Sequence, residues 1–437
     1  MKIRFTATFL LLLLFCSKHV SASTSLETLS IRAVSENSAE SAMAISELRA
    51  LGPSGLEALL TIHADEVKRH VSNPVEPATP AWLRLSAALD AVSQQKDSYL
   101  SGLYWYTDLS AAESAARASG KPILSLRLLG KLNEEFSCAN SRFFRSVLYA
   151  NADVSSVLRE HYVLHWQSVR PAPKVTVDFG DGRKLERTVT GNSIHYILDS
   201  EGNVIDALPG LYGPAAFLRT LGRAEEISRR LSGLALPARR QALGNYHRAA
   251  VQTITAEWLE DATSVGGKIP EALLPKTNGK SARASDIAPL AMTKAVTEVS
   301  LIAAITRDAN ALNAVTDEAT WNRIASRHIA DAQLDERSIN LIKRQMQGVW
   351  PADDTKIKVA SLLQKLEQNI ALDTVRNEYM MHTKVQAWLA SGLVANSVDT
   401  FNEKVYAELF LTPRSDPWLG LFAEDTYTGL DHGGIIR

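Results

Sequence analysis

The sequence predicts an α/β domain set between two α-helical regions. Three observations carry that expectation. Strand and helix signals alternate between residues 104 and 233, apolar residues recur at helical spacing before that stretch, and long helical candidates follow it. The expected division is a leader at 1–22, a helical region at 23–103, the α/β domain at 104–233 and a mainly helical domain at 234–437.

Lys2 and Arg4 give the N-terminus a positive start. Phe5 to Phe15 is nearly all apolar, with leucine at every position from 10 to 14, and Val20-Ser21-Ala22 is a small-residue cleavage site. A membrane span needs about 20 such residues, so the run reads as a bacterial-type signal peptide cut after Ala22. Cys16 raises a lipid-anchored alternative, but Phe15 stands where lipidation sites have a small residue. The expected product is exported, periplasmic or secreted, with no transmembrane segment. With a net charge of −1 and 22% charged residues, nothing suggests a nucleic-acid patch or polybasic membrane anchor, and no nucleic-acid partner is expected. Removal of the leader also removes Cys16, one of two cysteines, so no disulfide framework is expected and Cys138 stands alone.

From Ala39 to Ile62, Ala42, Ile45 and Leu48 and then Leu56, Leu59 and Leu60 repeat at helical spacing. Leu51-Gly52-Pro53-Ser54-Gly55 breaks the run. The pair resembles one HEAT-type repeat, which cannot bury its own face and must pack on the rest of the chain. Residues 72–81 read as a connection and Leu83 to about Leu103 as a helix.

In the middle region Asp108 caps a helix over Leu109 to Ser119, which Gly120 ends. Strands follow at Ile123 to Leu129 and Tyr162 to Val169, with helical stretches after Cys138 and over Val154 to His161 between them. Val175 to Val189 reads as a hairpin around Gly180-Asp181-Gly182. That turn lacks the helix and lysine of a phosphate loop. Ile194 to Leu198 and Val204 to Leu208 form a second hairpin, and a helix from Gly213 to about Leu231 closes the unit. Beyond it, helices are expected at Ala238 to Leu259, Ile287 to Ile305, Ile339 to Gln347, Lys356 to Ile370, Asp373 to Leu389 and Asp399 to Leu409, with a loop at Thr277 to Ser285. Tyr379-Met380-Met381-His382 reads as a helix face. The end, from Leu411 to Leu421 and at Asp431-His432-Gly433-Gly434, reads as a packed tail, with docking over Cys138 as the alternative.

Tyr104-Trp105-Tyr106-Thr107-Asp108, Gly120-Lys121-Pro122-Ile123-Leu124, Leu198-Asp199-Ser200-Glu201-Gly202-Asn203 and Leu208-Pro209-Gly210 resemble the exported thioredoxin-like family over residues 104–222. The resemblance implies an α/β thioredoxin-like domain flanked by α-helical regions. It also implies a redox position at Ser137-Cys138-Ala139-Asn140-Ser141, where Ser141 stands in place of the resolving cysteine. Asn192, Ser193 and Ile194 fall where the family has the proline-bearing loop facing that position; the proline is absent here, and the resemblance implies substrate-binding contacts at these three residues, with a simple structural turn as the alternative. Gly130 to Phe136 is an insertion.

A cysteine at a helix N-terminus has a stabilised thiolate that can attack a disulfide. Without a second sulfur, release must come from an external thiol. Ser141 can donate to the sulfur but cannot resolve the intermediate. The structural alternative is a small buried hydrophobe. His161 and His165 share a strand face by even spacing and could complete a metal site with Cys138; two structural histidines are the competing reading. Two functions are therefore expected: monothiol thiol–disulfide exchange or capture at Cys138 with Ser141, with protein or small-molecule thiols and disulfides as partners and no cofactor, or a non-catalytic interaction module on a degenerate thioredoxin fold.

Overall fold

A computed structural model describes residues 26–73, 76–266, 317–347, 349, 352–392, 397–419 and 421. The leader and its cleavage site, the Ile287–Ile305 helix, the Thr277–Ser285 loop and the Asp431–Gly434 segment lie outside the described residues. Among the described residues no helix is long and apolar enough to cross a membrane.

The first region contains α1 (26–33), α2 (Ser38–Ala50), α3 (Pro53–Ile62), α4 (Ala64–Ser72) and α5 (Pro80–Ser93). Asn37 caps α2 by accepting from the Ala39 and Glu40 amides. Leu48 and the half-buried Ile45 pack into the core with Leu56 and Leu59 of α3, as expected, whereas Ala42 faces solvent and Ala44 completes the buried stripe. Gln94 in the left-handed conformation (φ 60°) ends α5 ten residues before Leu103. These helices bury Leu48, Leu59, Trp82 and Leu89 in a core of their own, which reaches Ala150 and Leu341 of the later regions.

The middle region is a mixed five-stranded sheet with helices on both faces. In chain order its elements are β1 (Trp105–Tyr106), α6 (Leu109–Ser119), β2 (Ile123–Leu129), α7 (Ala139–Phe143) running into a π turn (Phe144–Leu148), α8 (Ala152–His161), β3 (Val163–Arg170), β4 (Lys174–Asp178), β5 (Lys184–Thr188), β6 (Ser193–Leu198), β7 (Val204–Pro209) and α9 (Pro214–Leu231). The sheet order is β1-β3-β2-β6-β7, with β1, β3 and β2 parallel and β6 and β7 antiparallel additions; β4 and β5 form a separate hairpin. Ile123–Leu129 is buried throughout, as a strand covered on both faces must be. Asp108 caps α6 and Gly120 (φ 71°) stops it, as expected.

Register sets the two faces. Ser125 and Arg127 align with His165 and Gln167 and with Tyr196 and Ile194, whereas Leu126 aligns with Trp166 and His195. The first face carries Ser125 Oγ against His165 Nδ1 at 2.8 Å and buried Arg127 on Gln167 at 2.5 Å. On the second, His195 meets Tyr149, Phe144 and Phe217.

The C-terminal region adds α10 (Leu236–Ser264), α11 (Glu318–Arg327), a 3-10 turn (Ile329–Ala332), α12 (Glu336–Gln345), α13 (Ala352–Arg376), a π turn (Asn377–His382), α14 (Thr383–Ala390), α15 (Val398–Lys404) and a π turn (Val405–Leu409). Two helices expected to be separate, Lys356–Ile370 and Asp373–Leu389, meet through Ala371 and Leu372 without a break; the interruption comes later, as the π turn. Helix α15 lies on the sheet's first face, where Asp399 pairs with Arg127 at 2.8 Å and Asn402 accepts from the Tyr196 hydroxyl at 3.2 Å. One hydrophobic core consequently runs from Leu103 through the sheet to Leu419.

Candidate functional site: a buried thiol and a charged cleft

Cys138 is the N-cap of α7 in extended conformation, with its amide donating to Leu129 O at 3.1 Å and its carbonyl accepting from the Arg142 amide at 3.2 Å. The helix-terminus position is as expected, but the side chain has 0% exposure and belongs to the core. Ser141 donates to the Cys138 carbonyl at 3.0 Å rather than to the sulfur, closing the first turn. Arg145, buried, holds the 130–136 insertion through Glu134 O at 2.7 Å.

The 190–194 segment does come to this helix. The Ala139 amide donates to Thr190 O at 3.0 Å and Asn140 Nδ2 to Ser193 Oγ at 2.6 Å, while Ile194 packs in the core. The tail closes over the same segment: Tyr406 donates to Asn192 O at 3.0 Å, Asn192 to Thr412 Oγ1 at 3.1 Å, and Arg170 to Thr412 O and Asp416 O. Tyr149 and Tyr406 are within electrostatic reach of the sulfur, and burial holds both phenols well above their ordinary range. Ser137 Oγ, Asn140 Oδ1, Thr190 Oγ1 and Asn192 Oδ1 are buried without hydrogen-bond partners.

A second site lies beyond β7. The chain leaves the sheet through Gly210-Leu211-Tyr212-Gly213, threaded between the two irregular turns. Gly210 has φ 84°, and a Cβ there would lie 2.5 Å from Asn377 Nδ2; a Cβ on Gly213 would lie 2.1 Å from Asp331 O. The Gly213 amide donates to Thr374 Oγ1, and Asn377 Nδ2 to Leu211 O at 2.7 Å. This threading places Tyr212 beside a cleft of about 290 Å³ between α9, α10, the 3-10 turn and the end of α13.

Behind the cleft Asp206 of β7 and Glu378 of the π turn hold His382 between them. His382 Nδ1 meets Glu378 Oε2 at 2.8 Å and Nε2 meets Asp206 Oδ1 at 3.4 Å. Tyr246 and Gln386 donate to Asp206 at 2.5 and 2.6 Å, and His247 joins Gln386 at 2.6 Å. A π turn widens the helix locally and is frequently found at functional sites; here it offers Glu378 and Tyr379 to the cleft and His382 to Asp206. Burial opposes charge on His382, but Glu378 and Asp206 outweigh it and raise the imidazole to about 10. Burial likewise opposes the Asp206 charge, and His382 overcomes it, bringing the carboxyl to about 2.

At the cleft's other wall His328 Nε2 meets Asp261 Oδ2 at 2.5 Å, Tyr379 donates to Asp261 at 2.6 Å, and Arg219 grips Asp331 through both oxygens at 2.5 and 2.8 Å. Hydrogen bonding to Asp331 raises His328, which burial opposes. Burial and the neighbouring Glu378 raise Glu257.

The metal grouping weighed against two structural histidines, His161 and His165 with Cys138, does not assemble. His161 ends α8 instead of lying on a strand, and it pairs with Glu225 at 3.1 Å on the surface; His165 is buried on Ser125. Among the described residues no group of three or more His, Cys, Asp or Glu is arranged to hold a metal ion. The sequence reading missed the cleft altogether. Its one local signal is the polar series Glu378, His382 and Gln386, spaced four residues apart along the helix. Comparison with protein-family models, characterised proteins and solved structures gives no match.

Proposed function

We propose that this chain is an exported, non-catalytic interaction protein built on a degenerate thioredoxin-like domain, with the flanking helical regions as its binding surfaces. The observation that carries this reading is the burial of Cys138. A thiolate must reach its target disulfide, and a sulfur with 0% exposure in the core cannot. The strand order β1-β3-β2-β6-β7, with an antiparallel hairpin on one edge, supports the thioredoxin-like part. The apolar N-terminal run and Val20-Ser21-Ala22 support export.

Monothiol exchange is the second reading, and the unpartnered polar atoms of Ser137, Asn140, Thr190 and Asn192 favour it. They offer donors and acceptors that a substrate backbone would satisfy if the tail withdrew. Labelling the full chain with an aromatic disulfide reagent across pH 6 to 9 separates the two. The interaction reading expects native Cys138 to label about a hundredfold or more slower than in denaturant. Native labelling as fast as a free thiol, or with a midpoint clearly below about 8.5, would establish exchange instead.

A further inference from the structure

We infer that the free edge of β4 is a self-association surface, which pairs antiparallel with β4 of a second copy of this chain about a two-fold axis at Thr176. This adds an interface to the interaction reading and does not depend on whether Cys138 reacts.

The hairpin's own register decides which groups face outward. Phe179 N donates to Arg183 O at 3.1 Å and Val189 N to Pro173 O at 3.2 Å, so the odd-numbered residues of β4 turn their backbone bonds toward β5. Hydrogen-bonded and non-hydrogen-bonded pairs alternate along an antiparallel ladder. The N–H and C=O groups of Lys174, Thr176 and Asp178 are therefore directed away from β5. All three residues are exposed, and among the described residues no strand takes that edge. The β5 edge is less open, because Thr188 is buried and bonds Ser137 O and Arg142.

Self-complementarity selects the occupant. Turned end for end about Thr176, the run Lys174-Val175-Thr176-Val177-Asp178 matches itself. Lys174 falls opposite Asp178 of the second copy, Val175 opposite Val177, and Thr176 opposite its own equivalent. Every outward-facing pair then exchanges two backbone hydrogen bonds, and the valines meet at the closer, non-hydrogen-bonded positions. Asp178 already pairs with Lys184 at 3.2 Å, so a row of alternating charge crosses both hairpins. Charged residues on an edge normally repel an added strand. Here they meet opposite charge, and only in this register, since a shift of two residues either way separates Lys174 from Asp178.

The apolar face of the hairpin is the second, independent observation. Val175, Val177, Leu185 and Phe179 belong to neither hydrophobic core, and Phe179 is 55% exposed. A two-stranded hairpin is marginal by itself, whereas a four-stranded sheet sets the valines of both copies side by side on that face. The contact is isologous, so it closes at a dimer. Five residues from each copy make a small seam, and the dimer is expected to be half formed near about 100 µM.

Sedimentation equilibrium of the full chain from about 5 to 500 µM at low salt tests the pairing, with a reversible dimer as the expected result. Thr176→Pro removes an outward N–H and keeps every bond to β5, so it should abolish the dimer without moving the thermal midpoint. Lys174→Glu sets like charges opposite each other at both ends of the seam and should weaken association about tenfold. Arg187→Glu makes the same change of charge on β5, away from the seam, and should leave association unchanged. Amide exchange at Thr176 should slow as protein concentration rises. A monomer at every concentration, a dimer that Thr176→Pro leaves intact, or equal weakening by Lys174→Glu and Arg187→Glu would each overturn the assignment. So would Thr176 exchange that is slow at every concentration, which would put another segment of this chain on the edge.

Discussion

The two ends of β6 and β7 bury histidine in opposite ways. Near Cys138, His195 sits among aromatic rings with one hydrogen-bond partner, the Tyr149 hydroxyl at 2.7 Å from Nε2, and burial pushes it down to about 3. It is neutral at any ordinary pH. Near the cleft, His382 is equally buried but sits between two carboxylates and keeps its proton to about 10. Desolvation is similar in the two places, so partner charge decides the outcome. The consequence reaches function. The thiol end is a sealed region where the buried histidine has no charged partner and the polar contacts run among backbone, side chains and the tail. The cleft end holds ionised groups against solvent, where they can meet a ligand.

Removing His382 should break this contrast most severely. His382→Leu leaves Asp206 and Glu378 buried without their shared cation, and loss of one partner from such an arrangement typically costs about 3–5 kcal/mol. His195→Leu removes no charge and leaves only the Tyr149 hydroxyl unsatisfied, for about 1–3 kcal/mol. Urea unfolding of both variants is the measurement. Equal losses would mean that His382 is not ionised in the folded state.

The same contrast has a pH signature of intermediate size. His382 binds its proton more tightly folded than unfolded, so its contribution is complete below its ordinary value of 6.5. It declines as pH rises and is gone above about 10. His195 and His165 behave oppositely. Their folded values fall to about 3, so the stability permitted by their neutral forms is complete above 6.5 and lost as pH drops toward 3. Unfolding midpoints across this range should fall on both flanks; His382→Leu should flatten the basic flank and also change the acid flank, because Asp206 loses the partner that brings its carboxyl to about 2.

Legibility in the sequence followed the range of the interactions. Asp108, Gly120 and the apolar run Ile123–Leu129 act within a few residues, and their elements were found at the expected positions. The α2 stripe held at Ile45 and Leu48 but not at Ala42, because Ala42 and Ala44 are equally apolar and only contact with α3 and α5 chooses between them. The cleft could not be read, because Tyr212, Glu257, Asp331 and Glu378 are brought together by packing across some 170 residues of chain. Cys138 was legible as a helix cap, yet its burial depends on tertiary packing that local sequence does not reveal, including Tyr406 at the far end of the chain.

The smallest expected effect concerns that tail. If the Val405–Leu409 turn seals the thiol, loosening it should raise reactivity without unfolding the domain. Tyr406→Phe deletes only the hydroxyl bond to Asn192 O, worth about 0.5–1.5 kcal/mol. Where labelling proceeds through local opening, that loss raises the open population about two- to tenfold. Cys138 labelling should therefore accelerate by the same factor, while the global unfolding midpoint moves little. Acceleration matched by an equal fall in global stability would mean that the sulfur is reached only by unfolding the whole core. Acceleration alone would mark the tail as the element that separates the sealed end of the sheet from the solvent.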